Sequence, residues 1–401
     1  MARAKKLGVA ELQRAVESAP AISYRVSYQP TGGAGAKVYP STYLGDNDEP
    51  TYASEVRLID GKETKCVIVD SIPSQANRIE EAISDLRTNG GLTFPAISVD
   101  LTEHNRGIFS TLDLPHRIAD AYLEHARLNG KPFTKSELYG DLKSATARNC
   151  RALYEADPMS LLMGFWFSRG NSSSIGRFSR MITSELIAVN AIAGRKTSSR
   201  LDPVRSDTSG ETANKESLAA SETGKTGEPK LSEIGFGNIP PSIETKGGVT
   251  CDHVLQIATI TLSGLRRLSW GDNPEQDKAG RVVLAALGLV GLEALMTGGV
   301  WLRSGCDLYA TKASRALVPN TNFNLDLKSA MDLFKKSVAA AKKKGLEFGD
   351  STMLTGDSPL LADLLNGTKE KAEKKTKKKA AKKSAKKKSA KKKSSKKRAR
   401  A

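Results

Sequence analysis

The longest apolar run in the chain, Val282–Leu302, constrains the fold more than any other stretch. A segment with so little polarity has no side to turn to water, so it needs apolar layers around it. Glu293 and four glycines (Gly288, Gly291, Gly298 and Gly299) interrupt it. The interruptions divide the region into a buried helix over Lys278–Leu295 and a strand over Val300–Ala310, and they count against a membrane span.

The rest of the chain supplies the layers. Val9–Ala19 has helix-forming composition, and Ile22–Tyr28 alternates as a strand. Glu55–Ile59 and Lys65–Asp70 flank Asp60-Gly61, a hairpin turn signal. In SIPSQANRIEEAISDLR, Ala76, Ile79, Ile83 and Leu86 give one apolar face of a helix, and Ala96–Leu101 alternates as a strand. The next segment, Thr111–Gly130, reads as a helix with Asp113 as cap, Pro115 in its first turn and Gly130 closing it. Thr134 with Glu137 forms a capping box that opens a further helix to about Tyr154. Leu161–Phe167, apolar except at Gly164, fits a strand buried on both faces. Leu255–Leu262 reads as another strand and Leu325–Lys343 as a final amphipathic helix. Strands and helices therefore mix throughout, as in an α/β or α+β body.

Charge is distributed unevenly. Of 62 Lys and Arg and 44 Asp and Glu, Lys369–Ala401 holds 19 basic and 2 acidic residues, which leaves 43 against 42 elsewhere. The body is thus nearly neutral, and a polyanion site on it requires local clustering. The lysine-rich tail over 361–401 is expected to be disordered and to bind nucleic acid through counterion release. The Ser-, Glu- and Lys-rich stretch 204–230 has almost nothing to bury and reads as a disordered insertion. That leaves a body made of 1–203 and 231–360.

The strongest local cluster is Gly164–Pro203. Arg169, Arg177, Arg180, Arg195, Lys196 and Arg200 lie there beside Ser172, Ser173, Ser174, Ser179, Thr197, Ser198 and Ser199. Guanidinium forks beside hydroxyls suit a phosphate-lined polymer. Two solvated loops are the alternative. The other glycine-rich loop, Thr31–Lys37, lacks the spacing of a nucleotide-binding loop, and Pro40 follows where a helix would have to open.

Catalytic and metal motifs are not found. Cys66, Cys150, Cys251 and Cys306 have no CxxC spacing, which excludes a zinc frame and fits reduced thiols. His104, His116, His125 and His253 are the only histidines; His116 and His125 stand nine apart, too far to share a metal on one helix. Neither HExxH nor GxSxG occurs. No cofactor and no enzyme activity is expected, although His116 could serve as a general base in a metal-independent ribonuclease. The basic amino-terminal segment has no apolar core for export, so a soluble cytoplasmic protein is expected, without a membrane partner.

Four motifs occur in order: VDSIPSQANRIEEAI, STLDLPHRIADA, GFWFSRGNSSSIGRFSRMITSEL and GRKTSSRLDP, preceded by KVYPSTY at Lys37–Tyr43. Together they resemble the RAMP-superfamily backbone protein of type I-U (I-G) CRISPR surveillance complexes. The resemblance spans Lys37–Pro203 and is looser beyond. It implies an α+β fold with a modified RRM-like, ferredoxin-type βαββαβ core carrying large insertions. It also implies several copies polymerising head to tail along a CRISPR guide RNA, alongside other surveillance-complex subunits, with target DNA pairing to the guide. By matching motif, Gln75, Asn77 and Arg78 become candidate guide contacts, and His116 and Arg117 a donor pair at a helix start. Arg169, Arg177, Arg180, Lys196, Ser198, Ser199 and Arg200 would line the RNA path. For Arg78, pairing with Glu81 is the alternative. Relatives that cleave target RNA use a loop aspartate; Asp46 and Asp48 lie in a loop, but their acidic setting does not establish such a site, and no cleavage is expected. A histone-like protein acting through the tail is the remaining functional alternative.

Overall fold

In the computed structural model, the described residues are 5–45, 50–89, 91–167, 176–204, 234, 236, 239–244, 247–319 and 321–366. They fall into two compact units, one of 1–195 with 245–358 and one of 196–244 with 359–401.

The main elements of the first unit are β1 (Lys5–Lys6), α1 (Val9–Ser18), β2 (Ala21–Pro30), β3 (Ser54–Ile59), β4 (Lys62–Asp70), α2 (Ile72–Thr88), β5 (Ile182–Val189), β6 (His253–Thr261), α3 (Pro274–Met296), β7 (Val300–Arg303), β8 (Cys306–Leu317), β9 (Thr321–Asn324) and α4 (Leu327–Lys342). The nine strands form one sheet in the order β1-β9-β8-β2-β6-β5-β4-β3, with β7 paired to β8. Every neighbouring pair from β8 to β3 is antiparallel. Within it, β2, α2, β5, β6, α3 and β8 run strand–helix–strand–strand–helix–strand, and their strands lie in the order β8-β2-β6-β5. The β3–β4 hairpin is inserted after β2 and adds to the free side of β5. It turns at Asp60-Gly61, both in the left-handed region, the geometry that matches strand twist.

Alternation in β2 explains how the sheet is covered. Ile22, Tyr24, Val26 and Tyr28 point to the helical side and are fully buried, whereas Ser23, Arg25, Ser27 and Gln29 point the other way. On the helical side lies α3, capped by Asn273, whose Oδ1 accepts from the amides of Glu275 and Gln276. It is the one described helix long and apolar enough to cross a membrane, and 83% of its apolar window is buried inside the fold. Gly291 is where α2 crosses it: a Cβ there would stand 2.7 Å from Ile79 Cγ2 and 3.0 Å from Ile83 Cδ1. Glu293, the one carboxylate in the run, accepts from Arg315 Nε and Nη2 at 2.5 and 2.8 Å and from the Tyr24 hydroxyl at 2.9 Å. A buried carboxylate survives there because a cation and a hydroxyl replace its water.

A second sheet of the same unit joins Lys131–Pro132, Arg127–Leu128, Thr352–Thr355, Ile97–Asp100 and Ile108–Ser110 in that order.

Three expectations for 111–167 are corrected. Thr111–Gly130 is not one helix. A 3-10 turn at Arg117–Ala119 gives way to a single helical turn, Ala121–Glu124, which Asp120 caps through the Tyr122 amide. Arg117 sits at φ 54, which no continuous helix tolerates, and Asn129-Gly130 turns a small hairpin instead of closing a helix. The next helix starts at Ser136, not Thr134. It ends at Ser144, and a separate one covers Arg151–Ala156. Leu161–Phe167 is the end of a helix, Pro158–Met163, followed by the short strand Phe165–Trp166. The unbroken burial of Pro158–Met163 reflects a helix surrounded by the core, which an apolar run of this length cannot distinguish from a strand.

Of the second unit, Lys196–Arg200 and Ile239–Glu244 pair antiparallel, with Lys196 opposite Glu244 and Arg200 opposite Ile239. Most of the 204–230 stretch and of the lysine-rich tail lies outside the described residues.

Candidate nucleic-acid interface

The face of the main sheet turned away from α2 and α3 is divided: Cys66, Ile187, Val189 and Leu255 form a buried apolar cluster on β4, β5 and β6, and the part over β2 and β8 is polar and rich in hydroxyls. Strand register builds rows across it. One row runs Ala316, Ser23, Thr259, Thr183, and the next runs Ser314, Arg25, Ile257, Glu185. A third places Lys312 beside Ser27. Glu185 is already neutralised: Arg57 Nη1 and Nη2 donate to its two oxygens at 2.5 and 3.0 Å. Arg25 and Lys312 are exposed, and among the described residues neither makes an ion pair. The face therefore offers two uncompensated cations among serines and threonines. A phosphate backbone can be held by such groups without base reading. The sequence signal for Arg25 was the outward phase of Ser-Tyr-Arg-Val-Ser-Tyr-Gln, legible as a strand but not as a site.

The motif residues around α2 are placed differently. Asp70, at the end of β4, accepts from Ser74 Oγ at 2.7 Å, Gln75 Nε2 at 2.6 Å and Arg78 Nε at 3.0 Å. Gln75 is 0% exposed, and its Oε1 accepts from Ser184 Oγ at 2.9 Å and from Gln256 Nε2 at 3.4 Å. The Tyr28 hydroxyl closes the chain onto Gln256 Oε1 at 2.7 Å. Gln75 thus ties α2 to β5 and β6, with no face left for a ligand. Arg78 pairs with Asp70 rather than Glu81, and its Nη2 donates to the Leu302 carbonyl at 3.1 Å, which locks α2 to β7. Asn77 alone of the three is exposed.

Arg117 also turns inward, so His116 and Arg117 do not form a donor pair. Its left-handed backbone directs the guanidinium to Glu80 on α2, with Nε–Oε1 2.5 Å and Nη2–Oε2 2.7 Å, while Nη1 donates to the Gly164 carbonyl at 3.3 Å. Burial pushes the Glu80 carboxyl up, and the Arg117 hydrogen bonds oppose that rise. His116 remains exposed, its amide donating to Asp120 Oδ2 at 3.2 Å.

Gly164 begins a short ribbon. It sits at φ 77, and a Cβ would lie 2.6 Å from the Arg180 amide nitrogen, so only glycine fits. Arg180 Nε donates to the Met163 carbonyl at 3.3 Å, and burial pulls its guanidinium below the ordinary arginine value. The ribbon pairs Phe165–Trp166 with Arg177–Phe178. Phe165 stacks on Phe178 at 5.1 Å on its inner side. On its outer side the Arg177 guanidinium lies 5.1 Å from the centre of the Trp166 ring.

The remaining candidate residues divide by position. Arg169 lies outside the described residues, as do Asp46 and Asp48. Lys196, Ser198, Ser199 and Arg200 are in a described strand, but their side chains are outside the described residues. Among the described residues no group of three His, Cys, Asp or Glu could hold a metal ion.

Residues 22–193, somewhat less than half of the chain, match the family model for CRISPR-associated protein GSU0053. The match takes in β2 with its outward arginine, the hairpin, α2 with its polar network, and the Trp166–Arg177 ribbon. A comparison with curated proteins finds no match. Among solved structures, the crystal structure of Thermofilum pendens Csc2 is similar at 12% identity, covering 81% of this chain and 74% of that one, with a TM-score of 0.26. A likeness of that degree bears on neither fold nor function.

Proposed function

We propose that this chain is a non-catalytic backbone subunit of a type I CRISPR effector complex, of the I-U (I-G) kind, that binds guide RNA in the cytoplasm. The observation that carries this reading is the family match to a CRISPR-associated protein over residues 22–193. The strand–helix–strand–strand–helix–strand order of β2, α2, β5, β6, α3 and β8 supports a ferredoxin-type, RRM-like core. The exposed Arg25, Lys312 and Arg177 supply local positive charge on a body whose formal charge is otherwise nearly balanced. Sequence choice in such complexes falls to base pairing between guide and target DNA, so phosphate and shape contacts suffice for the protein. Copies joined head to tail along the guide would use two different surfaces, an open heterologous assembly. Asn77, His116 and Arg177, all exposed, are the motif residues placed to reach RNA.

The test is to express the full chain with its neighbouring subunits and a CRISPR array, purify it, and sequence the bound nucleic acid. Short RNA of uniform, repeat-derived sequence is expected. Recovery only of mixed host RNA that moderate salt removes overturns the reading.

A further inference from the structure

The Trp166–Arg177 ribbon carries an arrangement that framework duties do not explain. Trp166 is 56% exposed, unusual for the largest apolar side chain when the neighbouring Phe165, Phe167 and Phe178 are all buried. Arg177 is held opposite it by strand register and covers one ring face. Among the described residues that guanidinium makes no ion pair, so its charge is uncompensated beside the indole.

The base of the ribbon is fixed from two sides. Arg117, clamped on Glu80, holds the Gly164 carbonyl, and Arg180 holds the Met163 carbonyl. Stacked Phe165 and Phe178 fill the inner side. The indole is therefore presented by a braced element and not by a free loop. Such presentation lowers the entropy lost when a flat ligand settles on it.

We infer that Trp166 and Arg177 form a stacking platform for one unpaired base of a single-stranded nucleic acid, with Arg177 also meeting the adjoining phosphate. The inference rests on the RNA-binding reading above and deepens it by assigning a base-contacting site. An aromatic face takes any base, because every base has a π face, and a neighbouring guanidinium adds the charge contact. An acidic peptide would engage the arginine but gain little from the indole. A second protein copy covering Trp166 would be detected in the same experiment.

The chain contains three tryptophans, of which Trp270 is buried and Trp301 exposed. In full-length Trp301→Phe protein, Trp166 is therefore the reporter that a ligand can reach. Titration with an unlabelled single-stranded guide-derived RNA should quench indole emission, and a further Trp166→Phe change should remove that quenching. Trp166→Ala should weaken RNA binding by about 5- to 140-fold, with the salt dependence unchanged. Arg177→Gln should instead lower the slope of log affinity against log salt by about 0.7, the value for one single-strand phosphate contact. The basic tail is common to all these proteins and cancels in the comparison.

RNA binding by the parent with equal affinity, slope and quenching in the variants overturns the platform while leaving the RNA-binding reading intact. No binding of guide-derived RNA by the parent overturns both. Quenching that follows protein concentration without RNA assigns Trp166 to contact between copies and also overturns it.

Discussion

Two sets of arginines lie within the family-matched residues 22–193 and do opposite work. Arg78, Arg117 and Arg180 turn inward, each onto a carboxylate or a main-chain carbonyl that would otherwise be stranded. Arg25 and Arg177 turn outward from strands whose opposite faces are buried, and among the described residues neither has an ion-pair partner. The difference follows from what each guanidinium would leave behind. Withdrawal of an inward arginine exposes nothing to water and strands a buried acceptor; withdrawal of an outward one leaves a solvated surface. A motif rich in arginine and glutamine therefore marks both the frame and the contact face, and burial separates them.

The comparison breaks most readily at Arg117. Arg117→Ala leaves Glu80, whose side chain is 4% exposed, as an unpaired buried charge and should cost about 3–5 kcal/mol in chemical denaturation. A loss of well under 1 kcal/mol would show that the inward set is not a frame.

Asp157 sharpens the contrast because it is a buried carboxylate held by a hydroxyl rather than by a hydrogen-bonded cation. Ser160 donates to its Oδ2 at 2.6 Å, and the Ser160 and Thr111 hydroxyls favour the charged form without offsetting its burial. Burial raises its carboxyl to about 6, above the ordinary 3.8. The folded state thus holds the proton more tightly than the unfolded chain. That contribution is complete below about pH 4 and is lost as pH rises through about 6. Asp157→Asn should therefore be more stable than the parent at pH 7 by about 3 kcal/mol, with the advantage gone near pH 3.5. Unfolding curves at the two pH values check this, and an equal difference at both would refute it.

Gln75→Ala follows in size. It removes the amide shared by Asp70, Ser184 and Gln256 and should cost about 1–3 kcal/mol. Asn77→Ala, two residues on, should change stability by less than about 0.5 kcal/mol. Similar losses at both positions in thermal melts would erase the inward–outward distinction on α2.

Local pattern made much of the frame legible. Alternation placed β2, the apolar stripe placed α2, Asp60-Gly61 placed the hairpin, and the apolar run placed α3. Each of these is decided within a few residues of chain. Residues 111–167 were not legible because distant partners decide them. Arg117 adopts a left-handed backbone and bonds Glu80, 37 positions earlier, and no helical periodicity carries that information. The site suffered the same way. Gln75 and Arg117 look like contact residues until Ser184, Gln256 and Glu80 are seen around them. Arg25 looked like one polar position in a strand until register set it between Ser314 and Ile257. Arg177 was legible as basic, but its partner Trp166 became visible only when the ribbon paired.

Arg25 gives the smallest stability effect and the cleanest test of the outward set. Arg25→Gln removes no described ion pair and should alter stability by less than about 0.5 kcal/mol. If the sheet face carries the RNA backbone, the same change should lower the salt slope of RNA binding by about 0.7 and weaken all sequences alike, since phosphate contacts carry no base information. A Glu185→Gln change provides the converse. Glu185 accepts from Arg57, which also pairs with Glu55, so its loss removes one negative charge from the face and leaves that guanidinium half-paired, which should steepen the slope. Opposite shifts from these two substitutions, measured against one RNA, would place the backbone across this face; identical or absent shifts would assign the RNA path elsewhere on the body.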